Sequence, residues 1–227
     1  MSDLQHIAIT MDGNRRWAKS KGLTTFEGHK IGAKNGFKIV ESVIKLNVKH
    51  LTLYCCSYEN LYRSQIEVEG LKQLLNYYLT EEIKQLQKLG IKLKFIGEIE
   101  KFGTSLHKAM LDAEEISKDN DKINLYLAFG YGSRMEIVKA AKKMASSGID
   151  ISSINEAEFS KFMYAPNMPE VDLFIRPGNQ SRVSNFLLWQ SAYAELYFSK
   201  KLWPDFNEDD LRDAIEEYKY RDRTFGS

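Results

Sequence analysis

Short runs rich in β-branched and aromatic residues alternate along this chain with longer segments of helical period, and that order admits few folds. His6–Met11, His50–Cys56, Ile91–Ile96, Ile123–Phe129 and Val171–Ile175 read as strands. Between them, Gly28–Leu46, Ile66–Leu89, Lys101–Lys118 and Ser133–Ser146 read as helices. A βαβαβαβαβ order predicts parallel strands joined by right-handed crossovers, with helices covering the sheet. The 227 residues are enough to bury one substantial core, so one α/β domain is the simplest expectation. Ser146–Asn155 and Tyr164–Glu170, the latter with Pro166 and Pro169, read as surface loops.

Bulk charge and cysteine use narrow the function classes. Lys and Arg number 32 against 31 Asp and Glu, so there is no global attraction to nucleic acid or anionic lipid, and any anion site is local. Cys55 and Cys56 are adjacent in an apolar run, which suits neither a structural disulfide nor a zinc site, and they read as buried thiols. The start of the chain lacks a signal-peptide pattern, and no apolar run approaches the ~18 residues of a membrane span. A cytoplasmic location is the expectation. The Ile66–Leu89 helix carries Val68, Leu71, Leu74, Leu75, Tyr78, Leu79, Ile83 and Leu86 at helical spacing; that stripe suits a core-facing helix or the wall of an elongated apolar cavity.

In open parallel sheets, ligands gather beyond the carboxyl ends of the strands. After the first predicted strand, Met11-Asp12-Gly13-Asn14-Arg15-Arg16-Trp17 places a carboxylate, a glycine turn and two guanidinium groups where a helix begins, a set suited to a diphosphate. Asp12 would repel that ligand unless a cation lay between them, which fits a magnesium ligand; an Asp after a strand is commonly a helix cap, and this segment alone favours capping. After the second strand, Ser57-Tyr58-Glu59-Asn60-Leu61-Tyr62-Arg63 offers Ser57 or Asn60 as an N-cap and Glu59 as a dipole partner. Arg63 opposes that dipole, so either an anion lies between them or the arginine is solvated.

The glycines of Phe129-Gly130-Tyr131-Gly132-Ser133-Arg134-Met135 make an incomplete dinucleotide fingerprint, since Met135 fills the third glycine position; a tight strand-to-helix turn accounts for them. After the fifth strand, Arg176 and Arg182 flank a turn with glycine and serine that suits a second diphosphate. Trp189, Tyr193, Tyr197, Phe198 and Trp203 suit core or subunit-interface packing, which leaves Glu195 unexplained. Histidines 6, 29, 50 and 107 lack zinc-ligand spacing; His29, beside Gly28, suits donation to a phosphate oxygen or an ordinary half-exposed position.

Taken together, these segments resemble the cis-prenyltransferase family, most closely its bacterial undecaprenyl diphosphate synthases. The resemblance runs over nearly the whole chain. It is carried by His6-Ile7-Ala8-Ile9-Thr10-Met11-Asp12-Gly13-Asn14, Gly28-His29-Lys30-Ile31-Gly32, Ser57-Tyr58-Glu59-Asn60, Gly132-Ser133-Arg134 and Ile175-Arg176. It continues through Arg182-Val183-Ser184-Asn185-Phe186-Leu187-Leu188-Trp189-Gln190, Glu195-Leu196-Tyr197-Phe198, Leu202-Trp203-Pro204-Asp205-Phe206 and Arg221-Asp222-Arg223-Thr224-Phe225-Gly226.

The resemblance implies one catalytic domain over residues 1–227, a mostly parallel sheet of about six strands flanked by helices, and an elongated apolar tunnel. It implies a homodimer that condenses isopentenyl diphosphate with an allylic diphosphate, farnesyl diphosphate being expected, into undecaprenyl diphosphate, the lipid-carrier precursor of the cell wall. Transient membrane contact on product release follows from that product; nucleic acid has no part. By the same resemblance Asp12 and Glu195 hold Mg2+, and Asp12 and Asn60 are catalytic. Gly13, Asn14, Arg15, Arg16, Trp17 and His29 take the allylic diphosphate. Arg176, Arg182, Val183 and Ser184 take isopentenyl diphosphate, with Ser57, Tyr58, Glu59 and Arg63 beside Asn60.

Several positions depart from the family pattern: Arg15 in place of a frequent glycine, Thr25 of an arginine, Leu61 of a tryptophan, Asn179-Gln180-Ser181 of a Gly-Glu-x run, and Thr224 of an arginine. Arg15 is expected to compensate for the arginine absent at Thr25. A non-catalytic, partner-binding homologue is the main rival reading, and such a chain is expected to lack Asp12 or the arginine pair.

Overall fold

The structure is a computed structural model that describes residues 4–82 and 88–221. Its elements run β1 (His6–Thr10), α1 (Asn14–Ser20), α2 (Thr25–Lys45), β2 (His50–Ser57), α3 (Gln65–Tyr77), β3 (Ile91–Ile96), α4 (Thr104–Ser117), β4 (Ile123–Tyr131), α5 (Ser133–Ser146), α6 (Glu156–Ser160), β5 (Leu173–Arg176), β6 (Glu195–Phe198) and α7 (Glu208–Lys219). The six strands form one sheet in the order β3-β4-β2-β1-β5-β6. Every neighbouring pair is parallel, as the alternating order predicts.

Strand periodicity sorts the core into two layers. Ile7, Ile9, Leu51, Leu53, Ile123, Leu125, Leu173 and Ile175 face one side, where α2, α3, α4 and α7 cover them. Ala8, Ala128, Phe174 and Tyr131 face the other, with Phe186 and Leu187 packed on them. His6 lies on that second side, fully buried, with Nδ1 2.9 Å from the Pro169 carbonyl oxygen and Nε2 2.8 Å from Thr52 Oγ1. Burial lowers its pKa to about 4.

Local chemistry explains where the elements depart from their predicted bounds. α2 starts at Thr25, ahead of the expected Gly28, because Thr24 and Glu27 form a capping box. Neither Ser57 nor Asn60 caps α3; Ser64 does, accepting from the Glu67 backbone, while Glu59–Tyr62 form a short 3-10 turn. The long helix expected over Ile66–Leu89 is α3 as far as Tyr77 and then widens to a π turn over Tyr78–Glu82; Ile83 and Leu86 lie outside the described residues. Tyr164–Glu170 is no simple surface loop: Met168 packs on the second core layer, the Tyr164 hydroxyl donates to Glu98 Oε1 at 2.6 Å, and Pro169 bonds His6. β6 and α7 were not anticipated individually; α7 is announced by a capping box at Asn207 and Asp210 ahead of buried Leu211, Ala214, Ile215 and Tyr218. No helix among the described residues is long and apolar enough to cross a membrane.

Candidate active site

Beyond β1 the chain turns at Gly13, which has φ 113° and lies so close to Leu202 that a Cβ would sit 3.0 Å from Leu202 Cβ; both demands select glycine. Asp12 does not cap α1, which has no side-chain cap. Its Oδ2 instead accepts from Arg176 Nη2 at 2.8 Å, and its Oδ1 lies 3.4 Å from Arg16 Nη2. The capping alternative is thereby removed. The carboxylate keeps a third of its surface open to solvent.

Arg176, at the end of β5, is 4% exposed and joins three parts of the site. Besides Asp12, its Nη1 donates to the Arg182 carbonyl oxygen at 2.5 Å and to Ser184 Oγ at 2.7 Å. These bonds hold a turn in which Ser184, Asn185 and Leu187 all adopt positive φ, at 49°, 61° and 47°, a conformation that non-glycine residues enter at a cost. Gly178, φ 107°, lets this loop approach the first one: a Cβ there would sit 3.0 Å from Asp12 Cβ and 3.1 Å from Arg16 Nη2.

The strand-end turns meet around one cleft of about 1130 Å³. Asp12, Gly13, Asn14, Arg15, Arg16, His29, Ser57, Glu59, Asn60, Arg63, Arg176, Arg182 and Ser184 line it. With Lys19, six cationic side chains border the cleft against the carboxylates of Asp12 and Glu59, a field suited to an anion of multiple charge. Thr10 Oγ1, Asn14 Oδ1, His29 Nε2 and Arg176 Nε are buried at its wall without a hydrogen-bond partner among the described residues. Groups left so are poised for a polar ligand. Asn60 is fixed by donating from its backbone N–H and its Nδ2 to Ser57 Oγ, at 3.2 and 3.0 Å.

Four expected site residues are not brought to the cleft wall. Trp17 turns to the 3-10 turn at Trp203–Asp205 and donates from Nε1 to Asp205 Oδ1 at 2.8 Å. The Tyr58 hydroxyl pairs with Tyr62 and Lys101 on the outer surface, and Val183 packs on the second core layer. Glu195 opens β6 and pairs in register with Leu173, which pairs with Ile7; it therefore sits at the amino ends of the strands, roughly 16 Å back from Asp12 along the sheet. It forms an ion pair with Arg221 at 2.8 Å. One chain does not assemble the expected Asp12–Glu195 pair on a single ion. Residues 222–226 of the C-terminal motif lie outside the described residues.

Next to the polar cleft lies an apolar cavity of about 130 Å³, walled by α2, α3 and the first face of the sheet. Met11, Asn14, His29, Cys55 and Leu71 border both spaces. From α3, Leu71, Leu74 and Leu75 line it, with Tyr78 and Leu79 of the π turn, and Leu53, Leu125 and Leu127 come from the sheet. The helix stripe thus faces a cavity as well as the core. Burial pushes the Cys56 thiol up to about 11 and raises that of Cys55 further, so both are protonated thiols at neutral pH.

The sequence reading missed Thr10, Tyr54 and Lys19, which also line the cleft, and Glu67, whose carboxylate lies 2.6 Å from Arg63, 3.6 Å from His29 and 3.9 Å from Arg15. An i,i+4 pair of Arg63 and Glu67 across a helix start was the available signal. Burial lowers the His29 pKa against the opposing pull of Glu67.

As a metal site the arrangement offers Asp12 between the arginines, with Glu59 the other carboxylate on the cleft wall, and no group of three or more His, Cys, Asp or Glu suited to an ion occurs among the described residues. That donor set fits Mg2+, which is commonly held by one or two carboxylates together with substrate phosphates; Asp12, open to solvent between two arginines, is the residue placed to do so.

Comparison with known proteins agrees with this geometry. Residues 10–226 match the family profile described as "Putative undecaprenyl diphosphate synthase". An isoprenyl transferase of Rickettsia bellii is 48% identical over 226 residues, covering 100% of this chain and 99% of the relative. The crystal structure of lavandulyl diphosphate synthase from Lavandula x intermedia, in complex with dimethylallyl diphosphate, superposes with a TM-score of 0.94 at 38% identity, covering 98% of each chain. That of a "probable undecaprenyl diphosphate synthase" from Campylobacter jejuni gives 0.85 at 33% identity over 100% of both chains. Sequence, fold and cleft converge, and the chain belongs to the undecaprenyl diphosphate synthase family of cis-prenyltransferases.

Proposed function

We propose that this protein condenses isopentenyl diphosphate with an allylic diphosphate, farnesyl diphosphate being the primer, to build a long cis-polyprenyl diphosphate of the undecaprenyl class. The observation that carries the reading is the junction itself: a cleft lined by six cationic side chains around Asp12 opens beside an apolar cavity, with His29 and Asn14 on both. A diphosphate with a hydrocarbon tail needs both halves at once. The superposable Lavandula structure holds dimethylallyl diphosphate, an allylic substrate of the same chemistry.

Arg15, Arg16, His29 and the Gly13–Asn14 turn bind the allylic diphosphate and stabilise the charge it carries away as its carbon–oxygen bond breaks. Arg176, Arg182 and Ser184 hold the second diphosphate so that its double bond faces the cationic carbon. Asn60 serves the loss of the proton that follows; a neutral amide is too weak a base to keep it, so Asn60 guides it to a diphosphate oxygen. Asp12 would hold Mg2+, which when bound would supply further positive charge to the leaving diphosphate. The growing chain extends into the apolar cavity, which lengthens into a tunnel as α3 gives way. We place the enzyme in the cytoplasm as a homodimer that meets the membrane when the product leaves, the product being a precursor of the lipid carrier for cell-wall synthesis.

Purified protein incubated with labelled isopentenyl diphosphate, farnesyl diphosphate and Mg2+ tests the reading. Label is expected in extractable lipid, and Asp12→Ala is expected to abolish it. No labelled lipid from the wild type, or equal yields from both proteins, would overturn the proposal.

A further inference from the structure

Glu67 is a carboxylate set against three residues of a cleft built for anions, Arg15, His29 and Arg63, and its charge is the wrong one for a diphosphate site. Its side chain is only 12% exposed, and it gathers basic groups from separate elements: Arg15 of α1, His29 of α2 and Arg63 of the turn before α3. The helix does not require this arrangement. Ser64 already caps α3, and a first-turn carboxylate serves the dipole equally well when turned to solvent.

We propose that Glu67 is a positioning residue for the allylic diphosphate, holding Arg15, His29 and Arg63 together at the lip of the apolar cavity before the substrate arrives. This role rests on the functional reading above. Two guanidinium groups that converge within 4 Å of one carboxylate repel each other, and the largely buried imidazole beside them adds a polar group that the same carboxylate orients. Arg15, 59% exposed, has no other ion pair among the described residues, and Arg63 sits against the positive end of α3. Without the anion between them, the long side chains swing to water, and the incoming diphosphate must order them itself. Glu67 stands one helical turn before Leu71, which borders both the cleft and the cavity. The carboxylate that gathers the cations therefore also ties α1 and α2 to the helix that roofs the hydrocarbon site.

Glu67→Gln keeps the size and removes the charge. Binding of farnesyl diphosphate, measured by calorimetry without isopentenyl diphosphate, is expected to weaken about tenfold, with KM for that substrate rising in step and kcat changing less than twofold. Glu67→Asp is expected to recover part of the loss. Because the effect passes through the arginines, Arg63→Gln combined with Glu67→Gln is expected to bind no worse than Arg63→Gln alone. Unchanged or tighter binding by Glu67→Gln would overturn the role, as would strictly additive losses; tighter binding would make Glu67 a competitor of the ligand. A variant that melts lower but binds normally also counts against it, because a purely structural carboxylate behaves that way. Wild-type protein that binds no allylic diphosphate would overturn the functional reading itself, whereas normal wild-type binding with an indifferent Glu67 overturns this inference alone.

Discussion

Arg176 donates to Asp12 across a separation of 164 residues, at 2.8 Å, and with its other terminal nitrogen holds the Arg182–Ser184 turn. The two loops expected to hold different diphosphates are therefore built on one buried guanidinium. A rearrangement at either loop is felt at the other through its planar fork.

Arg176→Lys tests that coupling. Lysine keeps the charge, but a single ammonium does not reproduce the fork that spans Asp12, the Arg182 carbonyl and Ser184. We expect kcat/KM for isopentenyl diphosphate to fall by about 100-fold or more, with the melting temperature little changed. Kinetics within threefold of wild type would show that the fork is dispensable.

Gly32 packs against the first loop so closely that a Cβ would lie 2.1 Å from Asn14 Oδ1 and 3.0 Å from Trp203 Cδ1. Gly32→Ala is expected to push Asn14 out of place, costing about 1–3 kcal/mol of stability and weakening allylic diphosphate binding. Denaturant unfolding and calorimetric titration check the two effects separately.

Leu127 of β4 is half-buried and lines the apolar cavity facing α3. Leu127→Trp narrows the space in front of the growing chain. Reversed-phase chromatography of the lipid products should show a shift to shorter chains, with the first condensation still proceeding. An unchanged length distribution would mean that the chain takes another route.

His6 makes stability depend on pH. Its folded pKa is about 4 against 6.5 for a free side chain, because burial disfavours the charged ring. The contribution is complete above pH 6.5 and is lost as the pH falls toward 4, where the unfolded chain takes up the proton first; the gap corresponds to about 3 kcal/mol. His29 and His50 shift in the same direction through burial, so the comparison must be with a variant. Urea midpoints of His6→Gln should fall less steeply between pH 6.5 and 4 than those of the wild type, and parallel slopes would count against this account.

The parallel sheet was legible because strand and helix periods differ and the elements alternate; β1 to β5 all fall within two residues of their expected bounds. β6 was hidden because Glu195–Phe198 is a short edge strand in an aromatic stretch with no turn signal of its own. In the site, Asp12, Arg15, Arg16, Arg63, Arg176 and Arg182 could be found from their places after strands, since topology alone carries strand ends to one edge. The directions of Trp17, Tyr58 and Val183 were not legible, because neighbours distant in sequence set them: Asp205, Lys101 and the second core layer. Register decides Glu195, and a shared polar motif says nothing of which end of the sheet a strand presents.

The central claim is that two diphosphates share the cleft between Asp12 and Arg176 while a hydrocarbon enters beside α3. A crystal structure with isopentenyl diphosphate and an unreactive thio analogue of farnesyl diphosphate, in Mg2+, tests it most directly. We expect one diphosphate within hydrogen-bond distance of Arg15, Arg16 and His29, the other on Arg176, Arg182 and Ser184, the metal on Asp12, and the farnesyl tail among Leu71, Leu75 and Leu127. Diphosphates bound away from these arginines, or a tail lying outside the apolar cavity, would contradict the account.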